Sequence, residues 1–275
     1  MKLPKIAIFI TLLLALLYFR TFRWLVNTWL TDPYYSHGFL VLIVSCFFAW
    51  RALRTANGQN EIKTEPYKNG LVIFAFGLFL YVIGFIKVFP FLSALSFLFT
   101  TSGLILYFYG KPVMRASLFP IAFLIFAIPL PVVFLNKVAH TMQALAARYP
   151  ASLLELLGIP VTRVGAEIHL TDASFIIGLP CSGMNSLISL LALAALFIYL
   201  LNCPLYKKAT LFCLAVPIAI LANMLRVTSL LLIANAYGAE TASGFYHTLF
   251  SPLLFIIAFI FLILISIIIG CKVKD

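Results

Sequence analysis

The chain has 275 residues, of which 64% are hydrophobic and only 10% are charged, and its formal net charge is +11. A soluble domain carries about 25% charged residues, so this composition excludes an ordinary soluble protein. A charge of +11 would point to nucleic acid in a soluble chain, but no basic stripe with interleaved aromatic residues is present. Lys and Arg gather in short segments between apolar runs, which is typical of a protein surrounded by membrane lipid, and we expect no nucleic-acid partner.

Apolar runs recur along the chain, and most reach the roughly 17–25 residues that cross a bilayer as a helix. We therefore predict an all-α polytopic membrane protein with about eight transmembrane helices. The expected spans are residues 5–20, 36–51, 70–86, 88–109, 116–135, 183–202, 209–235 and 252–270. The first is read as an uncleaved span, because "RTFRWLV" follows it where a signal peptide would have a small-residue cleavage site. We expect one transmembrane domain over 1–275, with no appended soluble domain at the C-terminus.

The loop charges predict that both termini face the cytoplasm, because cytoplasmic loops of membrane proteins are enriched in Lys and Arg. In this N-in, C-in arrangement the inner segments hold twelve basic residues and the outer segments six, over comparable lengths. The expected location is therefore the cytoplasmic (inner) membrane. The outer basic residues are Arg20, Arg23, Lys87, Lys137, Arg148 and Arg163.

The longest outer segment is predicted over residues 136–182, before the sixth span. Its first part, "NKVAHTMQALAARYPASLLELLGIP", has helical spacing typical of an interfacial helix. In the second part Val164, Ala166, Ile168 and Leu170 alternate, and "TDA" then offers a turn. We predict a small extracytoplasmic insertion, a helix plus a β-hairpin, that leads to Cys181.

Cys181 is the only one of five cysteines expected at the outer face, so it should have no disulfide partner in its own chain. It precedes an apolar run, in "LPCSGMNSLISLL", where the N–H groups and dipole of a helix N-terminus would stabilise a thiolate or an oxyanion. Asn185 and Ser189 follow at i+4 and i+8 and are expected on its face. The alternative is a small residue that eases helix packing, with Ser and Asn as interhelical hydrogen-bonding groups.

Two further residues are expected at the same membrane face. Arg226 lies inside the seventh span, in "ILANMLRVTSLLL", with Asn223 on the same side. A charge there is costly, so Arg226 either faces a packed interior or extends to the headgroups. His247 stands at the outer mouth of the last span, where a lone histidine is often incidental. Consecutive helices tend to be neighbours, so Cys181, Arg226 and His247 together indicate a cysteine acyl-transfer site.

Other uses of these residues are less well supported. One cysteine, one or two histidines and an arginine are a poor ligand set for zinc, and we expect neither a metal nor a cofactor. Ser182 lacks the G-x-S-x-G elbow of a serine nucleophile. It is kept, with Asn185, Asn223 and His37, as a supporting residue.

The quoted segments "LPCSGMNSL", "NMLRVTS" and "FYHTLFS", in this order on the last three spans, resemble the exosortase/archaeosortase family of membrane transpeptidases. "YYSHGFLVL", which contains His37, resembles the family's first outer loop, and the eight-span layout is also similar. The resemblance implies a cysteine nucleophile, an arginine and a histidine, which fall on Cys181, Arg226 and His247.

The resemblance also implies the substrates, which are exported proteins with a C-terminal sorting signal of the PEP-CTERM type: a short motif, a hydrophobic span and a basic tail. Cleavage would occur at the periplasmic or exterior face through a thioester, with Arg226 at the oxyanion or the substrate carbonyl and His247 as general acid and base. The alternative function is a non-enzymatic or transporter-type membrane component of exopolysaccharide or surface-protein export. A transporter would need broken helices and polar groups at mid-bilayer, whereas the polar residues here are expected at one face.

Overall fold

The computed structural model describes residues 5–58, 66–170, 174–238, 241 and 247–274. The chain forms two compact units, residues 1–131 and 132–275. Large apolar side chains are exposed along the helices of both units, among them Leu16 at 74% and Ile268 at 83%. Such exposure suits helices that contact lipid.

Five helices are described in the first unit. They are α1 (Lys5–Leu17), α2 (Phe19–Thr31), α3 (Gly38–Gly58), α4 (Gly70–Ile86) and α5 (Pro90–Phe123). Short 3₁₀ turns lie at Pro33–Tyr35 and Leu124–Ala127. The fully buried Tyr18 separates α1 from α2, and its hydroxyl bonds to Ser96 (2.9 Å) and Thr100 (2.8 Å) of α5. These bonds satisfy the phenol inside an apolar bundle.

Helices α4 and α5 pack closely because small residues face each other. Gly70, Gly77 and Gly84 recur every seven residues on α4 and are buried. A Cβ atom at Gly77 would lie 2.5 Å from Thr100 Oγ1, and one at Gly84 would lie 2.6 Å from Ser93 Oγ. Small residues let membrane helices approach until their backbones are in contact, which is the packing that this spacing produces here.

The second unit carries the helices that follow. They are α6 (Val132–Leu156), α7 (Met184–Leu200), α8 (Leu205–Tyr237) and α9 (His247–Ile268). A three-stranded antiparallel sheet, β1 (Val161–Val164), β2 (Glu167–Leu170) and β3 (Ser174–Ile176), lies between α6 and α7. A core of buried residues from α6, β2 and α8, including Ala147, Leu154, Ile168 and Leu231, joins this sheet to the helices.

The predicted hairpin corresponds to β2 and β3, which pair antiparallel on either side of residues 171–173. The expected turn itself, "TDA" at 171–173, lies outside the described residues. The alternation from Val164 to Leu170 suggested one strand, whereas Gly165 adopts φ +64° and turns the chain between β1 and the separate strand β2. Val164, the last residue of β1, is 66% exposed, so the buried face of the alternation is carried by Ile168 and Leu170 of β2.

A disulfide ties the far end of α7 to the C-terminal strand. Cys203 pairs with Cys271, next to a two-stranded ladder of β4 (Leu201–Asn202) and β5 (Lys272–Val273). Lys207 Nζ donates to the Ile269 carbonyl over 2.6 Å and strengthens this connection. The pair therefore sits at the opposite end of α7 from Cys181.

The structure does not confirm eight spans. Among the described residues four helices are long and apolar enough to cross a membrane: Pro33–Ala52, Pro90–Ala127, Leu205–Tyr237 and Leu249–Ile268. A bent pair over Phe9–Thr31 makes a fifth if it is one span. The predicted spans 88–109 and 116–135 fall on the two helical segments of α5, which are separated by the non-helical Gly110 (φ +77°), and the second segment continues through a 3₁₀ turn to Ala127. Helices α4 and α7, at 17 residues each, are shorter. The orientation and the side of the insertion stay predictions.

Candidate active site

Cys181 lies in a 3₁₀ turn, Leu179–Ser182, immediately before α7. Its N–H donates to the Gly178 carbonyl over 2.9 Å. Gly183 then adopts φ +87°, a left-handed conformation that reverses the local path of the chain, and α7 begins at Met184. The thiol is therefore presented by a tight turn at the end of the helix, and Cys181 is half-buried against the core of the second unit.

The segment leading to this turn is anchored from α6. Gln143 Nε2 donates to the Ile177 carbonyl over 2.6 Å, and Ile177 is itself part of the buried core. Strand β3, which ends at Ile176, is paired with β2. These contacts fix the chain just before Cys181, so the turn has a defined position on both sides.

Arg226 of α8 contacts the main chain of this turn. Its side chain is only 7% exposed, so it packs inside the protein and does not extend to the headgroups. Nη2 donates to the Cys181 carbonyl over 3.0 Å, and Nη1 donates to Ser251 Oγ of α9 over 3.3 Å. One guanidinium thus links the cysteine turn to the helix that His247 begins. A planar fork can bind two acceptors at once in this way.

Asn223, one turn before Arg226, binds the same turn. Its Nδ2 donates to the Ser182 carbonyl over 2.8 Å and approaches the Cys181 carbonyl at 3.4 Å. Asn223 is 5% exposed, and a Cβ at Gly183 would collide with its carboxamide. Glycine at 183 is therefore required twice, by the backbone conformation and by the contact with Asn223. We call Asn223, Arg226 and the two carbonyls that they bind the carbonyl clamp.

Helix α8 returns to the level of Cys181 for a geometric reason. The 17 residues of α7 span about 26 Å at 1.5 Å per residue, and Arg226 lies about 20 residues into α8, or roughly 30 Å. The two helices are joined by the short β4 segment and pack against each other, so similar path lengths bring Arg226 back beside the turn.

Two supporting residues take different places from those expected. Ser182 is fully buried, and its Oγ accepts the Met184 N–H over 3.3 Å, a position suited to capping α7 and not to attack. Asn185 is exposed and contacts Ser189 at 3.5 Å. Cys181 precedes α7, so helical spacing does not place it on a face with Asn185 and Ser189.

Of the two candidate histidines, the structure describes His37 in full and His247 only through its backbone. His247 is the first residue of α9, but its side chain is outside the described part of the structure. His37 belongs to the first unit, where its Nε2 lies 3.2 Å from the Phe126 carbonyl and its ring stacks on Tyr35. The described residues hold no group of three or more His, Cys, Asp or Glu side chains of the kind that binds a metal ion.

Sequence reasoning assigned no role to Ser251 or Gly183. Ser251 lies one turn after His247, and residues four apart share a helix face, which is the signal that could have pointed to it. Gly183 follows Cys181 by two residues, and the need for glycine there is visible only in the structure, from its φ and its contact with Asn223.

A buried guanidinium holds the cysteine turn at the end of an apolar helix, and the described residues include four helices long and apolar enough to cross a membrane, as in a polytopic membrane protein. The family profile of the transmembrane exosortases matches residues 29–264, a range that includes Cys181, Asn223, Arg226 and Ser251. The chain belongs to the transmembrane exosortase family. No curated protein and no solved structure matches the chain.

We predict that Gly183→Ala destabilises the protein more than Gly165→Ala. Both positions have positive φ, which costs a non-glycine residue about 1–2 kcal/mol. Only at 183 does the new methyl group also meet a neighbour, since nothing lies within 4 Å of a Cβ at 165. Overpacking of this kind adds about 1–3 kcal/mol. Thermal unfolding of both variants in the same detergent measures the difference, and equal losses would contradict the clamp contact.

Proposed function

We propose that the chain is a membrane-embedded cysteine protease or transpeptidase that removes the C-terminal sorting signal of exported proteins. The observation that carries the proposal is the carbonyl clamp, which holds the Cys181 turn from α8 and joins it through Ser251 to α9. Membership of the exosortase family supports the substrate class. The thiol lies at the end of a membrane helix because the bond to be cut lies just outside the anchoring helix of the substrate.

In the proposed reaction the Cys181 thiolate attacks the scissile carbonyl carbon, and the carbonyl oxygen becomes an oxyanion. His247, protonated, gives its proton to the leaving amine as the carbon–nitrogen bond breaks. The hydrophobic tail departs, and a thioester to Cys181 remains. An acceptor nucleophile then attacks the thioester, His247 takes its proton, and the thiolate is released. An amine acceptor gives transpeptidation, and water gives hydrolysis.

Arg226 in this proposal positions the nucleophile. Sequence analysis placed it at the oxyanion or the substrate carbonyl, but both terminal nitrogens of its fork bind groups of the protein itself, the Cys181 carbonyl and the Ser251 hydroxyl. Its guanidinium remains next to the turn. Asn223 shares the positioning role through Ser182 and Cys181.

The active site is proposed to face the periplasm or exterior of the cytoplasmic membrane, with both termini in the cytoplasm. This orientation puts the Cys203–Cys271 pair, at the other end of α7, in the cytoplasm. Cytoplasmic thiols are kept reduced, so the pair is expected as two thiols in growing cells. The reverse orientation would preserve the disulfide and put Cys181 in the reducing compartment.

We predict that Cys181→Ala abolishes processing of a sorting-signal substrate, because no other group supplies the attacking sulfur. The loss should be at least about a thousandfold. The matched control replaces Cys46 and Cys213, both exposed thiols of the same chain, and should process at close to the wild-type rate. Rates are normalised to membrane-inserted enzyme. Normal turnover by Cys181→Ala would contradict the proposed mechanism.

We predict that Arg226→Lys accumulates normally but processes substrate at least about tenfold more slowly. A single ammonium is a poor substitute for a fork that reaches both the Cys181 carbonyl and Ser251, and a lost hydrogen bond from a charged group costs about 1.5–3 kcal/mol. The processing rate per inserted enzyme is the measurement. Near-normal turnover would show that only the charge matters and not the fork.

The orientation is tested by cysteine labelling in intact cells. Gly165→Cys, in the β1–β2 turn, should react with a membrane-impermeant maleimide. Cys203 and Cys271 should be labelled as thiols, and only by a permeant maleimide. A shielded residue 165 together with an oxidised Cys203–Cys271 pair would reverse the orientation and place Cys181 in the cytoplasm.

A further inference from the structure

A small crevice lies behind the carbonyl clamp, among α7, α8 and α9. Its volume is about 10 Å³, and its lining includes Ser186, Ala222, Asn223, Arg226 and Ser251. The walls are otherwise made of small or apolar side chains.

Two side chains that line this crevice each carry a buried polar atom with no hydrogen-bond partner among the described residues. These atoms are the Oδ1 atom of Asn223 and the Nε atom of Arg226, on side chains that are 5% and 7% exposed. The contact of Asn223 Nδ2 with the Ser182 carbonyl fixes the amide orientation, so the oxygen is the atom that is left over. A buried polar group without a partner is destabilising, and native structures rarely leave one.

The chemistry of the two atoms selects the ligand. Asn223 Oδ1 needs a donor, and Arg226 Nε–H needs an acceptor, so the ligand must be both. A cation would be repelled by the guanidinium, and a simple anion has no hydrogen to donate to the amide oxygen. A peptide group carries a donor and an acceptor but is far larger than the crevice. Water satisfies both needs, and about 10 Å³ is the space that one water molecule requires.

We propose that the crevice binds one water molecule, which accepts a hydrogen bond from Arg226 Nε and donates one to Asn223 Oδ1. Its second hydrogen faces a wall that carries the hydroxyl groups of Ser186 and Ser251. The water completes the polar environment of the clamp and keeps the Arg226 fork turned towards the Cys181 carbonyl. This inference depends on the contacts of α8 and does not require the proposed reaction.

The test uses two variants of nearly equal shape, Ala222→Val and Ala222→Thr. Ala222 is half-buried, lines the crevice and lies one turn before Arg226 on the same helix face. Both side chains displace the water, but only threonine brings a hydroxyl that can replace its hydrogen bonds. Ala195 of α7, also half-buried and not part of the lining, receives the same two substitutions as the control.

Thermal unfolding of the full-length chain in one detergent is the main measurement, because it needs no substrate. Ala222→Val should unfold at least about 3 °C below Ala222→Thr, whereas the two Ala195 variants should differ little. Where a substrate is processed, Val should also slow processing about tenfold relative to Thr. Equal stability of the Val and Thr variants at 222, or a less stable Thr variant, would overturn the proposal. If the protein does not catalyse the proposed reaction, the expected difference in stability between Ala222→Val and Ala222→Thr still holds.

A structure of the wild-type protein that resolves ordered water gives an independent answer. One density peak within hydrogen-bond distance of Arg226 Nε and Asn223 Oδ1 supports the proposal. Direct pairing of these atoms with protein groups, or elongated density from lipid or peptide, would overturn it.

Discussion

A guanidinium buried within a membrane-spanning helix is the constraint on which the second unit depends. An arginine at the centre of a membrane helix costs about 2.5–3.5 kcal/mol on insertion scales. The structure offsets this cost with acceptors from two other elements, the Cys181 carbonyl before α7 and the Ser251 hydroxyl on α9. Three parts of the chain that are distant in sequence must therefore meet at one point.

Several features of the second unit support this contact of Arg226 with the Cys181 carbonyl and Ser251. Gly183 allows the left-handed turn that aims the carbonyls of Cys181 and Ser182 towards α8, and it leaves room for Asn223. Gln143 holds the chain just before the turn. The result is a thiol on a backbone that is restrained from several sides, and preorganisation of this kind reduces the entropic cost of attack on a carbonyl.

Sequence analysis singled out Cys181, Asn223 and Arg226, and the structure brings these three residues together. An arginine inside an apolar run and a cysteine in front of another are each costly or unusual enough to stand out. The contacts between them were less accessible, because the acceptors are main-chain carbonyls that every residue carries. The i+4 spacing wrongly placed Asn185 on the same helix face as Cys181, because α7 begins only at Met184.

The number of spans is not settled by hydropathy. The predicted span 70–86 coincides with α4, and 183–202 exceeds α7 by only one or two residues at each end, but the hydropathy pattern does not show the break at Gly110 within α5. The proximity of Cys203 and Cys271 was not predicted either, because the two residues are 68 positions apart and no motif links them. Their meeting is instead explained by the short ladder of β4 and β5, which brings the C-terminus back to the end of α7.

The central claim is that Cys181 carries the cleaved protein as a thioester, and mass spectrometry of the cysteine peptide tests it most directly. Membranes that contain the enzyme and a sorting-signal substrate are quenched in acid during turnover, and the Cys181 peptide is examined with and without hydroxylamine. The account predicts an adduct with the mass of the new substrate C-terminus, which hydroxylamine removes. Continued processing with unmodified Cys181, or with a hydroxylamine-sensitive adduct on another residue, would contradict it.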